Sequence, residues 1–187
     1  MVNLAHKLYT EQDYLAMERK AEFKSEYYAG EVFAMAGAKE MHNLIVTNLI
    51  REISLFLKKK PCRVYPSDMR VKVSETGLYT YPDITIVCGK SEFLDKQTDT
   101  LLNPHIIIEV LSDSTESYDR GKKFQLYRSL PSLEEYILIS TSNRKVEKFR
   151  RENGYWKLTE SQEGKLFLIE TIEYNLDLDE IYDKVEF

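Results

Sequence analysis

The chain has 187 residues, 43% of them apolar and 30% charged, a composition that excludes disorder and fibrous repeats and allows a sizeable hydrophobic core. Lysine and arginine total 26 against 31 acidic residues, a net charge of -5, so bulk charge does not advertise nucleic-acid binding and any such contact must be local. No apolar run approaches membrane-spanning length and no basic-then-apolar leader opens the chain, so a soluble cytoplasmic protein is expected.

In chain order, Thr10 with Asp13 three residues later predicts a short capped helix over Thr10 to Arg19. After Gly30, Glu31 to Met35 reads as a strand. His42 to Lys59 then places Leu44, Ile45, Leu49, Ile53, Phe56 and Leu57 at helical spacing, ended by Lys58-Lys59-Lys60 and Pro61. Cys62 to Tyr65, Met69 to Val73 and Asp83 to Cys88 follow as short strands in a meander, with a turn at Ser74 to Gly77. His105 to Leu111 is almost continuously apolar, the mark of a central strand buried on both faces. A helix over Tyr118 to Leu130, stopped by Pro131, leads to a buried strand Glu135 to Ser140. Val146 to Arg150 and Tyr155 to Leu158 form an alternating hairpin, Leu166 to Ile169 a further strand, and Leu176 to Val185 a closing helix.

No repeat, linker or low-complexity tract divides this pattern, so one domain over residues 1–187 is expected. Cys62 and Cys88 lack a CxxC partner and are expected as free structural thiols. Four basic runs are candidates for phosphate contact: Lys58 to Lys60 with Arg63, Arg70 with Lys72, Arg120 with Lys122 and Lys123, and Arg144 through Arg151. A solvated face is the ordinary explanation for such runs.

The most informative residue is Glu109, a carboxylate inside an isoleucine-rich strand, where charge needs a partner or a metal. Asp83 stands at the mouth of another strand, set there by Pro82, which biases Tyr81 to extended backbone. Lys123 lies on the helix that follows the Glu109 strand, four residues after Asp119 and one turn before Tyr127. Each has a plainer meaning alone: an inward acid satisfied by arginine or amide, a turn aspartate, an exposed Asp-Lys pair. Together they meet the needs of phosphodiester hydrolysis, in which carboxylates hold Mg²⁺ or Mn²⁺ and a cation faces the attacking water. The carbonyl of Val110 offers a further hard oxygen ligand.

Pro82-Asp83, Glu109-Val110-Leu111, then Asp119 and Lys123 resemble the PD-(D/E)XK nuclease superfamily. Over nearly the whole chain, with Glu26 to Glu31, Met35 to His42, Tyr81 to Ile86 and Ile108 to Tyr127 carrying the likeness, the sequence is similar to the Uma-two family of restriction endonucleases. In the wider superfamily the lysine stands two residues after the second acid, where this chain has Leu111; the resemblance implies that it has migrated to the next helix as Lys123. Lys122 points about 100° away on a helix.

The resemblance implies an α/β fold, a restriction-endonuclease-like mixed β-sheet flanked by helices, and a metal-dependent endonuclease that hydrolyses DNA phosphodiester bonds. Asp83, Glu109 and Val110 would hold Mg²⁺ or Mn²⁺, and Asp83, Glu109 and Lys123 would carry catalysis. Glu26, as a first-helix acid, and Asp68 are secondary candidates. His42 resembles a position the family favours, though a lone histidine at a helix start is more often structural, and His105 is given no role. A homodimer is expected, with the Tyr-rich hairpin around Trp156 as aromatic surface. Two alternatives stay open: a nucleic-acid-binding module of the same fold with little or no cleavage, and a small-molecule hydrolase that needs no basic groove. A glycine-rich phosphate loop, a GxSxG elbow and zinc-ligand spacing are absent from the sequence, which disfavours ATPase, acyl-transfer and zinc chemistry.

Overall fold

The computed structural model describes residues 7–161 and 166–187. Two mixed sheets and a small two-stranded sheet form its frame. The larger sheet has six strands in the order β11-β10-β9-β8-β6-β3: β3 (Cys62–Pro66), β6 (Ile84–Cys88), β8 (Ile106–Val110), β9 (Glu135–Ile139), β10 (Val146–Glu152) and β11 (Tyr155–Glu160). Within this sheet β8 and β9 are the one parallel pair among the described residues, as a helical crossover between consecutive strands requires. The second sheet runs β2-β1-β5-β4-β7, from β1 (Ser25–Tyr28), β2 (Glu31–Ala34), β4 (Arg70–Val73), β5 (Leu78–Thr80) and β7 (Thr100–Leu101).

Side chains alternate across β8, and the two faces enter different cores. Ile106, Ile108 and Val110 join Ile84, Ile86, Ile137 and Ile139 beneath α2 (Glu40–Leu57), which buries Ile45, Leu49, Ile53 and Leu57. The small sheet of β12 (Phe167–Ile169) and β13 (Tyr174–Leu176) and the short α5 (Leu178–Ile181) complete that side. On the other face Ile107 and Leu111 meet Val71, Val73 and Leu78 of the second sheet, together with Phe124, Leu126 and Tyr127. The far face of the second sheet packs Tyr27 and Tyr79 against Tyr14 of α1 (Glu11–Glu18), whose start is a reciprocal cap between Thr10 and Asp13.

Several expectations are corrected. Met69 to Val73 is not a neighbour of the Cys62 strand in a meander; β4 belongs to the second sheet, between β5 and β7, and β3 pairs instead with β6. The sequence reading places no strand at β1, β5, β7 or β13. The closing helix is four residues, Leu178–Ile181; its first expected residue, Leu176, is paired with Phe167 in the β12–β13 ladder, and Asp177 caps the start. Cys62 and Cys88 are not free thiols. They are cross-strand partners in the β3–β6 register and form a disulfide, stapling an edge strand to its neighbour.

The helix after β8 is more irregular than its sequence predicts. It comprises α3 (Glu116–Tyr118), a π-turn (Asp119–Lys123) and α4 (Phe124–Tyr127). The Tyr136 hydroxyl donates to the Asp119 carbonyl at 3.0 Å, drawing that turn against the sheet. A π-turn takes one residue more than an α-turn and is common where side chains must be re-aimed.

Candidate active site

The β6–β8 pairing is antiparallel and sets Ile84 opposite Ile108. One step further along that register Asp83 faces Glu109. Both side chains share the face of Thr85, Val87 and Ile107, away from α2. The Asp83 backbone N–H donates to Glu109 Oε2 at 3.3 Å, and the Val110 N–H donates to Asp83 Oδ2 at 2.8 Å, so each acid is held by the other's strand.

The second sheet delivers another acid to the same place. In β1, Tyr27 turns toward α1 while Glu26 and Tyr28 turn toward the six-stranded sheet. Glu26 therefore lies on a strand and not on a first helix, and the Thr80 hydroxyl donates to it. From the third direction the π-turn brings in Lys123 and Asp119. Lys123 Nζ lies 2.9 Å from Glu109 Oε1 and 3.4 Å from both Glu26 Oε1 and Asp119 Oδ1. Tyr127, a turn further on, donates its hydroxyl to Glu109 Oε1 at 3.0 Å.

The electrostatics follow from burial. Glu109, Asp119 and Lys123 are each at most 6% exposed. Burial pushes the Glu109 carboxyl well above the ordinary range, with Lys123 opposing, and raises Asp119 against the same cation. For Lys123 burial works to lower the pKa, but Glu109, Tyr127, Glu26 and Asp119 outweigh it and hold the ammonium firmly charged. Tyr127 is raised well above an ordinary phenol by burial and by Glu109. The mouth of the cluster is on the side of Asp83 and His42, whose side chains keep 19% and 15% exposure. His42 Nε2 lies 3.1 Å from Asp83 Oδ2, and its buried Nδ1 has no hydrogen-bond partner among the described residues.

The structure thus brings together Asp83, Glu109, Val110, Lys123, Glu26 and His42. It does not bring in Asp68, which is exposed and paired with Lys24, nor His105, whose Nδ1 accepts from the Cys88 amide. Lys122 turns away to the Tyr28 ring. Sequence reasoning gave no role to Asp119, Tyr127 or Thr80. Asp119 and Tyr127 stand four residues either side of Lys123, a spacing that held the signal; Thr80 carried none. Two open surface clefts, of about 410 and 530 Å³, lie elsewhere on the molecule, the first beside Tyr9 and Met17 and the second beside Lys60 and Arg63.

The donor set fits a hard divalent cation. Glu26, Glu109 and Asp119 surround Lys123, and Asp83 stands beside Glu109 at the more open side with His42, so four carboxylates offer oxygen. Among the described residues no three His, Cys, Asp or Glu side chains form a ready cage. Mg²⁺ and Mn²⁺ sites do not need one, since one or two carboxylates commonly suffice, with water and substrate phosphate completing the shell.

The fold is a restriction-endonuclease-like α/β one. The chain belongs to the Uma2 family, described as "Putative restriction endonuclease", whose model matches residues 11–179. It is 36% identical over 161 residues to the uncharacterized Synechocystis protein sll1609, covering 86% of this chain and 91% of that one. It is 30% identical to a second Synechocystis protein, slr1290, over 94% of this chain and 92% of the other. The same fold is present in a crystal structure from Anabaena variabilis described as a putative nuclease belonging to DUF820. That match has a TM-score of 0.75 at 16% identity and covers 93% of this chain and 97% of that chain.

Proposed function

We propose that the chain, acting as a single domain over residues 1–187, is a metal-dependent endonuclease that hydrolyses DNA phosphodiester bonds. The observation that carries this reading is the excess of buried carboxylate over lysine at the facing ends of β6 and β8, an excess that a divalent cation would balance. Asp83, Glu109 and the Val110 carbonyl would hold Mg²⁺ or Mn²⁺. When bound, such an ion supplies Lewis-acid stabilisation of the phosphate and eases deprotonation of water.

The chain's own residues do the rest. Asp83 is oriented by the Val110 amide and His42, and Glu109 by Tyr127 and the Asp83 amide, so both carboxylates are held in fixed orientations. Lys123 keeps its proton and presents a fixed positive charge toward the attacking water and the charge that develops on phosphorus oxygens. Asp119 and Glu26 position that ammonium from two sides. Burial of the cluster strengthens each of these interactions relative to water. Cutting both strands of a duplex calls for two sites, which a homodimer supplies; in the hairpin of β10 and β11, Phe149 and Trp156 pack onto the core beside Phe124, which leaves Tyr155 and Leu158 as its exposed apolar contacts.

One observation favours a second reading, a nucleic-acid-binding module with little or no cleavage. Glu109 Oε1 is already shared by Lys123 and Tyr127, and its Oε2 accepts the Asp83 amide. The deciding experiment is cleavage of supercoiled and single-stranded DNA with Mg²⁺ or Mn²⁺ by the wild-type chain, Asp83→Ala and Lys123→Ala, purified identically. Nicking by the wild type that is lost in both variants is expected. A folded wild type that binds Mn²⁺ and DNA yet never nicks either substrate would transfer the case to the binding module.

A further inference from the structure

Most of the basic runs are spent inside the molecule. Arg70 is buried and donates to Thr100 and Tyr81, with Asp99 beside it, and Lys72 pairs with Glu11. Arg120 is held by Glu116 and Glu147. In the run from Arg144 to Arg151 the cations pair with Asp179, Glu147, Glu160, Glu135 and Glu170, and Arg151 donates to backbone carbonyls.

One group is different. Lys58, Lys59 and Lys60 follow the end of α2, Arg63 projects from the edge strand β3, and Lys90 follows the end of β6. All five are exposed, and none has a carboxylate within ion-pair distance among the described residues. Lys60, Arg63 and Lys90 border the open cleft of about 530 Å³, whose remaining lining is Pro61, Cys62 and Gly89, with no acid. Two of the three are aimed by backbone: Lys60 Nζ donates to the Ile172 carbonyl at 3.2 Å and Arg63 donates to the Gly89 carbonyl. The cleft floor is fixed because the Cys62–Cys88 disulfide joins the two strands that form it. A helix dipole welcomes lysines just past its C-terminus. That effect explains none of Arg63 and Lys90, which arrive from strands on a protein of net charge -5.

We propose that this pole is a second contact for nucleic acid, a phosphate-backbone site formed by Lys58, Lys59, Lys60, Arg63 and Lys90, distinct from the carboxylate cluster. The inference rests on the nucleic-acid reading above. The two sites occupy opposite ends of α2: His42 in its first turn touches Asp83, and Lys58 caps its last. An 18-residue helix is about 27 Å long. At about 3.4 Å of rise per base pair, a duplex seated at the cluster reaches the lysines about eight pairs away. The phosphate contacts read no base, so the pole adds affinity and register without sequence preference.

The test is anisotropy of a labelled duplex of about 20 base pairs, long enough to span both sites, titrated in EDTA over a range of salt. The wild type is compared with the triple variant Lys58→Gln, Lys59→Gln, Lys90→Gln, which leaves the two backbone-bonded cations in place. The variant is expected to melt as the wild type does and to bind with a log–log salt slope shallower by about 2.7, the loss of three phosphate contacts. An unchanged slope overturns the site, as does a loss seen only with anionic phosphatidylglycerol vesicles and not with the duplex. Cleavage measured in parallel separates the two claims. A chain that never cuts but shows the slope change keeps this site and loses the nuclease, whereas one that cuts with an unchanged slope keeps the nuclease and loses this site.

Discussion

Two buried ionic clusters sit on the six-stranded sheet, and they are built on opposite principles. At the start of β9, Glu135 is fully buried but accepts the amides of Glu170 and Thr171, and with Glu170 it is matched by Lys148 and Arg150, two acids against two cations. Where β6 begins and β8 ends, Glu26, Glu109 and Asp119 share Lys123, and Asp83 beside them has only His42 as a basic partner among the described residues. The first arrangement is self-sufficient and ties β9 and β10 to the turn after β12. The second leaves acid in excess of cation, and that excess is what the metal-dependent reading rests on.

That contrast can be broken by mutation. The largest effect is expected at the unbalanced cluster: Asp83→Asn or Glu109→Gln should lower DNA cleavage on the order of 10³-fold while the melting temperature holds or rises, because a poorly compensated charge has been removed. Glu135→Gln should do the reverse, destabilising the fold by about 1 kcal/mol in a denaturant titration through weakened hydrogen bonds to the Glu170 and Thr171 amides, while cleavage per folded molecule stays as it was. A Glu135→Gln protein as stable as the wild type would show that the two clusters do not differ in kind. Next in size is Lys123→Met, with cleavage reduced about 10²-fold and Mn²⁺ bound more tightly, since the ammonium no longer shares the pocket. Electron paramagnetic resonance of free Mn²⁺ reads that affinity directly, and weaker binding would contradict the placement of the charge.

The smallest effect is a pH slope. Burial raises the Glu109 pKa from its unfolded value to about 8, so the folded chain holds this proton more tightly than the unfolded chain. The stability so gained is complete below the ordinary carboxylate range and is lost as pH climbs through that value. Metal-free protein should therefore melt a few degrees lower at pH 9 than at pH 6, and Glu109→Gln should flatten part of the difference. Glu135 is also raised, to about 7, and its share of the slope remains in that variant.

The two central acids are legible in the sequence alone. An acid within Ile106-Ile107-Ile108 and another after Pro82 stand out because apolar strands have few reasons to carry charge. What failed to show was whatever depended on register between distant segments. Cys62 and Cys88 are separated by 26 positions and become neighbours only once β3 and β6 align. Glu26 precedes a tight turn at Ala29 and Gly30, both at positive φ, yet Ser25 to Tyr28 lacks the clean alternation that would have marked its strand. Asp119 was read as an exposed partner of Lys123. It is buried instead, because the π-turn and Tyr136 press that stretch against the sheet.

The π-turn also bears on how such a chain can vary. Each residue of an α-helix advances the direction of its side chains by about 100°, so a turn holding one residue too many resets every position downstream of it. Gly121, at the middle of the turn, is a point where a single codon could be gained or lost. Removing it would leave Asp119 in place but rotate Lys123 and Tyr127 together away from Glu109. The lysine's place beside Glu109 therefore depends on the count of residues between it and β8, and relatives that differ there in length need not carry their cation at the aligned position.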